Sequence, residues 1–258
     1  RVRGAGRAVD GLSAALVRKD GLEIPCEVTI GIVGDAADGQ LLVVVRDVSD
    51  RQAVETTCAR IVRETGVPLT AQQLSIVWGE RFLSALESCN GHVFLNLFEL
   101  EAKTLIETLA EYDKQVDPLP YVRMLVDYWQ NPPLQPEVKE FFAAFRLPVC
   151  IVSNADQPDG EQPLARNNIL VQGLVTSEEV RSYKPHPDIF ESALARMGWQ
   201  RDRVIHVGDS LHSDVGGAAA AGIRSGWLNR AHRIHDIGTH EPDYEFEDLH
   251  GLAALVGE

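Results

Sequence analysis

Val204-Ile205-His206-Val207-Gly208-Asp209-Ser210 joins a strand-forming run to a glycine, a carboxylate and a hydroxyl. Upstream, Val149-Cys150-Ile151-Val152 leads into Ser153-Asn154, and Gly173-Leu174-Val175-Thr176 has the same texture. Downstream, Ser225-Gly226-Trp227-Leu228 is the last strand expected, and helical patterns cover Asp188–Met197 and Asp214–Ala221 between the runs. Strands that are apolar throughout and alternate with helices need cover on both faces. They predict an α/β fold with a doubly wound parallel sheet. Ligands of such sheets bind beyond the carboxyl ends of the strands, and polar residues gather at those ends here.

Three strand ends carry chemistry: Ser153-Asn154, the loop Tyr183-Lys184-Pro185-His186-Pro187, and Gly208-Asp209-Ser210 with Asp214 five residues after Asp209. A hydroxyl or amide, a lysine and two carboxylates converging on one edge suit an anion held beside a metal. Lys184 can neutralise phosphate, Asp209 offers hard oxygens to magnesium, and Asp214 can ligate the ion or orient its waters. Of the histidines, His206 falls on a buried strand and reads as a hydrogen-bonded core residue. His186 reads as structural or substrate-facing, and His212, His232, His235 and His240 as surface.

Acidic residues outnumber basic ones 38 to 24 in the 258-residue chain, a formal net charge of −14. That balance excludes a nucleic-acid surface, which needs lysine and arginine against phosphate. Hydrophobic residues make up 45% of the chain, enough for a core, yet no aliphatic run approaches the roughly 20 residues of a membrane span. No apolar signal core follows the basic residues Arg1–Arg7, so the expectation is against export. Cys26, Cys58, Cys89 and Cys150 have no CxxC spacing, which fits plain thiols and a cytoplasmic location.

Residues 12–50 alternate and turn like a short antiparallel meander, whereas 53–147 read as helical. Val54–Thr65 stops at Gly66. Thr70 with Gln73 three residues on is a capping box that starts a helix through Leu86. Further helices are expected over Leu97–Tyr112, Leu119–Gln130 and Pro136–Phe145, with the aromatic residues Trp78, Phe82, Phe94, Phe98, Tyr128 and Trp129 packing among them. The expected division is 1–53 for the antiparallel fragment, 54–136 for a helical unit and 137–258 for the sheet-bearing core.

Ile151-Val152-Ser153-Asn154-Ala155-Asp156, Ser182-Tyr183-Lys184-Pro185-His186-Pro187-Asp188-Ile189-Phe190 and His206-Val207-Gly208-Asp209-Ser210 with Asp214, Gly217 and Ala221-Gly222 stand in order and spacing. They resemble the second, third and fourth motifs of the haloacid dehalogenase superfamily, mostly magnesium-dependent phosphatases. The resemblance implies a Rossmann-like core, a helical cap over about 60–135, Mg2+ as cofactor and a small-molecule phosphate ester as substrate. Ser153, Asn154, Lys184 and Ser210 would contact that substrate, and Asp209 and Asp214 would hold the ion.

The family's opening Asp-x-Asp-Gly-Thr is missing. The nearest stretch is Leu41-Leu42-Val43-Val44-Val45-Arg46-Asp47-Val48-Ser49-Asp50, which places Asp47 after an apolar strand with Ser49 at the position of the family's acid. The same stretch, with Arg18-Lys19-Asp20-Gly21 and Ile24-Pro25-Cys26-Glu27-Val28, resembles the last three strands of a PAS sensor domain, covering about residues 10–53. A fusion is implied in which the PAS-derived meander supplies the strand that the hydrolase lost. Asp47 then reads either as a turn-capping aspartate or as nucleophile and third magnesium ligand. As nucleophile it would form an aspartyl phosphate that water hydrolyses; otherwise a metal-activated water attacks. Without a second aspartate, activated leaving groups such as aryl phosphates are favoured. The alternatives are a haloacid dehalogenase, which would not need a divalent ion, and a non-catalytic signalling module. The open strand edges of the N-terminal fragment predict a homodimer through residues 12–50.

Overall fold

The computed structural model describes residues 29–32, 41–44, 50–236 and 238–257. Two short strands come first: β1 (Thr29–Ile32) and β2 (Leu41–Val44), antiparallel, with Thr29 opposite Val44. The rest of the expected meander, including Leu12–Val17, both turns, Cys26 and Asp47, lies outside the described residues.

Four helices follow: α1 (Asp50–Thr65), α2 (Ala71–Ser88), α3 (Leu97–Ala110) and α4 (Leu119–Trp129). Gly66, at φ +60°, ends α1 in the left-handed conformation that glycine adopts without strain. The capping box at α2 is formed as expected, with the Gln73 amide donating to Thr70 Oγ1 at 3.1 Å and the Thr70 amide to Gln73 Oε1 at 2.9 Å. A second box, Asn96 with Glu99, starts α3. Leu74, Trp78, Phe82 and Leu86 recur every four residues along α2, so all face one side and are buried against α1, α3 and α4. Trp78 keeps its indole N–H satisfied in this apolar setting by donating to Thr104 Oγ1 at 3.0 Å. Full burial of each such side chain contributes roughly 1.5–3 kcal/mol.

The sheet-bearing part runs α5 (Val138–Ala144), β3 (Val149–Ser153), α6 (Gln157–Asn167), β4 (Gly173–Thr176), the single turn α7 (Ser177–Val180) and α8 (Pro187–Met197). It continues with β5 (Ile205–Gly208), the short α9 (Gly217–Ala220), β6 (Arg224–Leu228), β7 (Tyr244–Phe246) and α10 (Leu249–Val256). Strand order is β4-β3-β2-β5-β6-β7, parallel throughout this path, with β1 paired to β2. All five residues of β3 are buried because the sheet is covered twice. Val149 and Ile151 pack with α5 and α10, while Cys150 and Val152 pack with α8 and α9.

Three differences from the sequence reading have local causes. Gln157–Asn167 is helical although it holds Pro158, Gly160 and Pro163: Pro158 sits in the first turn, where no amide partner is lost, and Pro163 lies inside the helix at the cost of one ladder bond. Leu228 does not end the last strand; β7 and α10 follow, with Asp248 capping α10 through the Gly251 amide at 3.0 Å. Asp214–Ala221 is not one α-helix. Residues Leu211–Gly216 form a wide π-type turn in which Ser210 O accepts from both the Asp214 and Val215 amides, at 3.0 and 3.1 Å, and α9 follows.

Candidate active site

The carboxyl ends of β3 and β5 deliver Ser153-Asn154 and Asp209-Ser210 to one edge of the sheet, and the loop after α7 brings Lys184 beside them. Asn154 is a bracket for that loop. Its Oδ1 accepts from the Lys184 amide at 2.7 Å and its Nδ2 donates to Lys184 O at 3.2 Å. The adjacent amide, of Tyr183, donates to Asn90 Oδ1 at 2.7 Å, so two asparagines hold consecutive peptide groups next to the lysine.

Lys184 and Asp214 form a buried ion pair, Nζ to Oδ1 at 2.6 Å. Asp214 Oδ1 also accepts from His206 Nε2 at 3.2 Å, and Oδ2 accepts from the Ser210 amide at 3.1 Å. The wide turn aims Asp214 inward so that these bonds can form. Burial by itself would push the Asp214 carboxyl up, but the Lys184 ammonium and His206 hold it well below the usual carboxylate range. Complete burial pushes the His206 imidazole below its usual value, against the pull of Asp214, which leaves it a neutral donor through Nε2. Its ring stands edge-on to Phe190, with centroids 4.8 Å apart.

Asp209 is bound differently. Its main-chain carbonyl accepts from Trp227 Nε1 at 2.9 Å and from Arg233 Nη2. Its carboxylate Oδ1 is buried and has no hydrogen-bond partner among the described residues. A buried carboxylate oxygen left without a donor is costly, and a hard cation removes that cost. Asp209 therefore fits magnesium directly. Asp214 is already committed to Lys184, His206 and the Ser210 amide, and among the described residues no cluster of three or more His, Cys, Asp or Glu side chains forms.

A small cleft, partly open to solvent, adjoins Ser153 and Asn154. Tyr128 and Trp129 at the end of α4 line it together with Ile151 of β3 and Leu164 of α6.

Residues 48–222, more than half of the chain, match the haloacid dehalogenase-like hydrolase family. The chain belongs to that family. Pyrimidine 5'-nucleotidase YjjG of Escherichia coli is 42% identical over 84 residues, covering 32% of this chain and 37% of that protein. Phosphoserine phosphatase of Thermus thermophilus is 33% identical over 127 residues, covering 45% and 49%. Haloacetate dehalogenase H-2 of Moraxella sp. is 25% identical over 201 residues, covering 75% and 88%. The chain thus spans about half or less of the first two relatives. In fold it is similar to the HAD-hydrolase YfnB of Bacillus subtilis, with a TM-score of 0.64 at 20% identity over 81% of this chain and 93% of that one.

Within this chain, Ser153, Asn154, Lys184, Asp209, Ser210 and Asp214 all come to one edge, while Asp47 lies outside the described residues. Ser210 Oγ accepts from the Ser213 amide at 3.0 Å and so caps the wide turn. Asn229 and Arg230 follow the carboxyl end of β6, and their side chains are engaged with protein groups. Asn229 bonds Arg233 and Glu245, and Arg230 pairs with Glu137. His186 caps α8, and His212 faces Glu87 at 3.3 Å on the surface. Cys58 and Cys150 are buried thiols pushed up to about 12 by burial, inert as nucleophiles.

Two contributors had no sequence signal. Asn90 lies 93 residues from the amide it holds. Asp156, just beyond β3, accepts from the amides of Leu97 and Phe98 at 2.6 and 3.1 Å and so caps α3 from another part of the chain. Burial pushes Asp156 up to about 6, against those two bonds and with the nearby carboxylates of Glu178 and Asp159 adding to the rise.

Proposed function

We propose that the chain is a magnesium-dependent phosphoric ester hydrolase that favours activated leaving groups, with Asp47 as nucleophile. The observation that carries this reading is the buried oxygen of Asp209 that no described residue bonds, beside the Lys184–Asp214 pair, on the edge where a parallel sheet binds ligands. Position supports Asp47. β2 lies between β3 and β5 and parallel to both, and it ends at Val44, three residues before Asp47. The phosphatases and nucleotidase among the relatives support phosphate esters as the substrate class.

In this mechanism the Asp47 carboxylate attacks phosphorus, the P–O bond to the leaving group breaks, and the alkoxide or phenoxide departs with the bonding pair and takes its proton from water. Water then cleaves the aspartyl phosphate, returning the carboxylate and releasing phosphate. Ser153 and the side chain of Asn154 bind a non-bridging oxygen, and the Lys184 ammonium offsets charge on the transferring group. Asp214 keeps that ammonium charged and oriented. Asp209, with Asp47 beside it, would hold magnesium, which would supply Lewis-acid stabilisation of phosphate charge, while Asp214 stays bonded to Lys184, His206 and the Ser210 amide. Ser49 offers no acid for the leaving group, so phenols leave faster than alkanols.

The reading includes a helical cap over 54–136 above a core of 137–258, and a homodimer formed at least partly through residues 12–50. Light scattering at micromolar concentration tests the dimer. Haloacid dehalogenation is the second reading, favoured by the match to haloacetate dehalogenase H-2 across 88% of that protein. Assaying p-nitrophenyl phosphate and chloroacetate with and without EDTA separates the two. Phosphate release lost on chelation and in both Asp47→Asn and Asp209→Asn is expected. Chloride release that survives chelation overturns the proposal.

A further inference from the structure

We propose that Asn90, just beyond α2, is a positioning residue for Lys184, so that the helical part of the chain sets the place of the phosphate-binding cation without touching substrate. This rests on the phosphatase reading and adds a residue to its machinery. A lysine ammonium is a point charge on a flexible stem, so its place depends on what holds its two ends. Asp214 holds the ammonium of Lys184 at 2.6 Å. The backbone end has two supports from different parts of the fold. Asn154, after β3, brackets the peptide groups of Lys184, and Asn90 Oδ1 accepts from the preceding amide, that of Tyr183, at 2.7 Å.

Asn90 is itself fixed. Its Nδ2 donates to Glu87 O at 3.1 Å, back in the last turn of α2. The next residue, Gly91, exchanges bonds with Arg181: the Gly91 amide donates to Arg181 O at 2.8 Å, and Arg181 Nε donates to Gly91 O at 3.3 Å. Tyr183 is held at its far end as well. Its ring stacks on Phe94 with centroids 5.0 Å apart, and its Oη donates to Leu95 O at 2.9 Å. Residues 90–95 thus grip residues 181–183, and the next residue along the chain is Lys184. A shift of the α2–α3 connection would carry the lysine with it.

The test uses the full chain with p-nitrophenyl phosphate, at a temperature where each variant is folded by circular dichroism. Asn90→Leu removes the acceptor, and Asn90→Asp keeps it. Displacing a group at the reacting centre by about 1 Å can cost on the order of 100-fold in rate. In Asn90→Leu kcat should therefore fall about tenfold or more while KM moves less than about threefold, because Lys184 answers charge on the transferring group. Asn90→Asp should recover at least half of that loss on a logarithmic scale. Tyr183→Phe, which lacks only the hydroxyl, is the independent second variant and should also lower kcat. Acetylation of Lys184 by acetic anhydride, read by mass spectrometry against the exposed Lys103, needs no turnover. It should rise several-fold in Asn90→Leu and stay near the wild-type level in Asn90→Asp. An Asn90→Leu protein with unchanged kcat, or with a loss that Asn90→Asp shares in full, overturns the positioning role and spares the phosphatase reading. A wild type that hydrolyses no phosphate ester overturns the phosphatase reading, and acetylation then decides alone. A rise confined to Asn90→Leu supports the hold on Lys184, and equal acetylation of wild type and Asn90→Leu overturns it.

Discussion

Replacing Lys184 by methionine should be among the most damaging single changes in this protein. The Lys184 and Asp214 side chains are 5% and 3% exposed, and their charged atoms lie 2.6 Å apart. Methionine keeps the stem and removes the cation, so the buried Asp214 carboxylate loses its ammonium partner and keeps the His206 Nε2–H and the Ser210 amide. Removing one partner of a buried pair costs about 3–5 kcal/mol. At about 2–4 °C per kcal/mol for a chain of this size, the melting midpoint should fall by roughly 6–20 °C. Adding Asp214→Asn to Lys184→Met removes the orphaned charge while keeping one oxygen for the Ser210 amide, and should restore at least half of the loss. Urea unfolding of the wild type, both single variants and the double variant at pH 7 closes the cycle. Because the Asp214 carboxyl is held below its ordinary value, its contribution is present above the unfolded value of 3.8 and disappears only as pH falls below it. In Lys184→Met the buried carboxyl loses the cation that holds it down, so the wild-type advantage should grow as pH rises from 4 to 8. If the single costs add to the double within about 0.5 kcal/mol, the two groups are not coupled and the reasoning fails.

Asp156 should show the opposite sign. Its carboxyl stands at about 6 in the fold against 3.8 ordinarily, so its contribution is full below 3.8 and is lost as pH rises through 6, by roughly 3 kcal/mol at most. Urea midpoints at pH 4.5 and 7.5 should reveal this slope in the wild type, and Asp156→Asn should flatten it; an unchanged slope refutes the assignment. Magnesium should raise the thermal midpoint of the wild type by mass action, on the order of 2.7 kcal/mol at 100 times Kd, but not that of Asp209→Asn. An equal response from both would remove Asp209 from the ion. Asn90→Leu strands the buried amide of Tyr183 and should cost about 1–3 kcal/mol in urea, while Asn90→Asp, which keeps an acceptor, should cost less. Equal losses would show that the bond to Tyr183 is not what Asn90 supplies. Gly217→Val should fail to accumulate as folded protein, since a Cβ there would meet the Phe190 ring at 2.6 Å.

Much of this architecture was legible in short windows. Gly173–Thr176 is a strand over the expected bounds, and Thr70 with Gln73 starts α2 through the bonds that the capping box implies. Both depend on groups within four residues of one another, whose geometry the backbone dictates. The polar residues after β3 and β5 could be placed on one edge because parallel strands all point the same way. The helix through Gln157–Asn167 was hidden by its prolines and glycine, which report loop propensity when taken alone; packing of the partly buried Leu164, with Ile169 just beyond the helix, against the core overrides it.

The alternation of apolar runs and helices, and the chemistry at the strand ends, were determined by sequence alone, because periodicity and charge are local properties. Which partners those groups take was decided only by tertiary structure. Asp214 bonds Lys184 from 30 residues away rather than standing free for an ion, and Asp156 caps a helix that begins 59 residues before it. Such pairings depend on how distant segments pack and exclude water, and in a buried setting a carboxylate takes whatever donor the packing brings within reach.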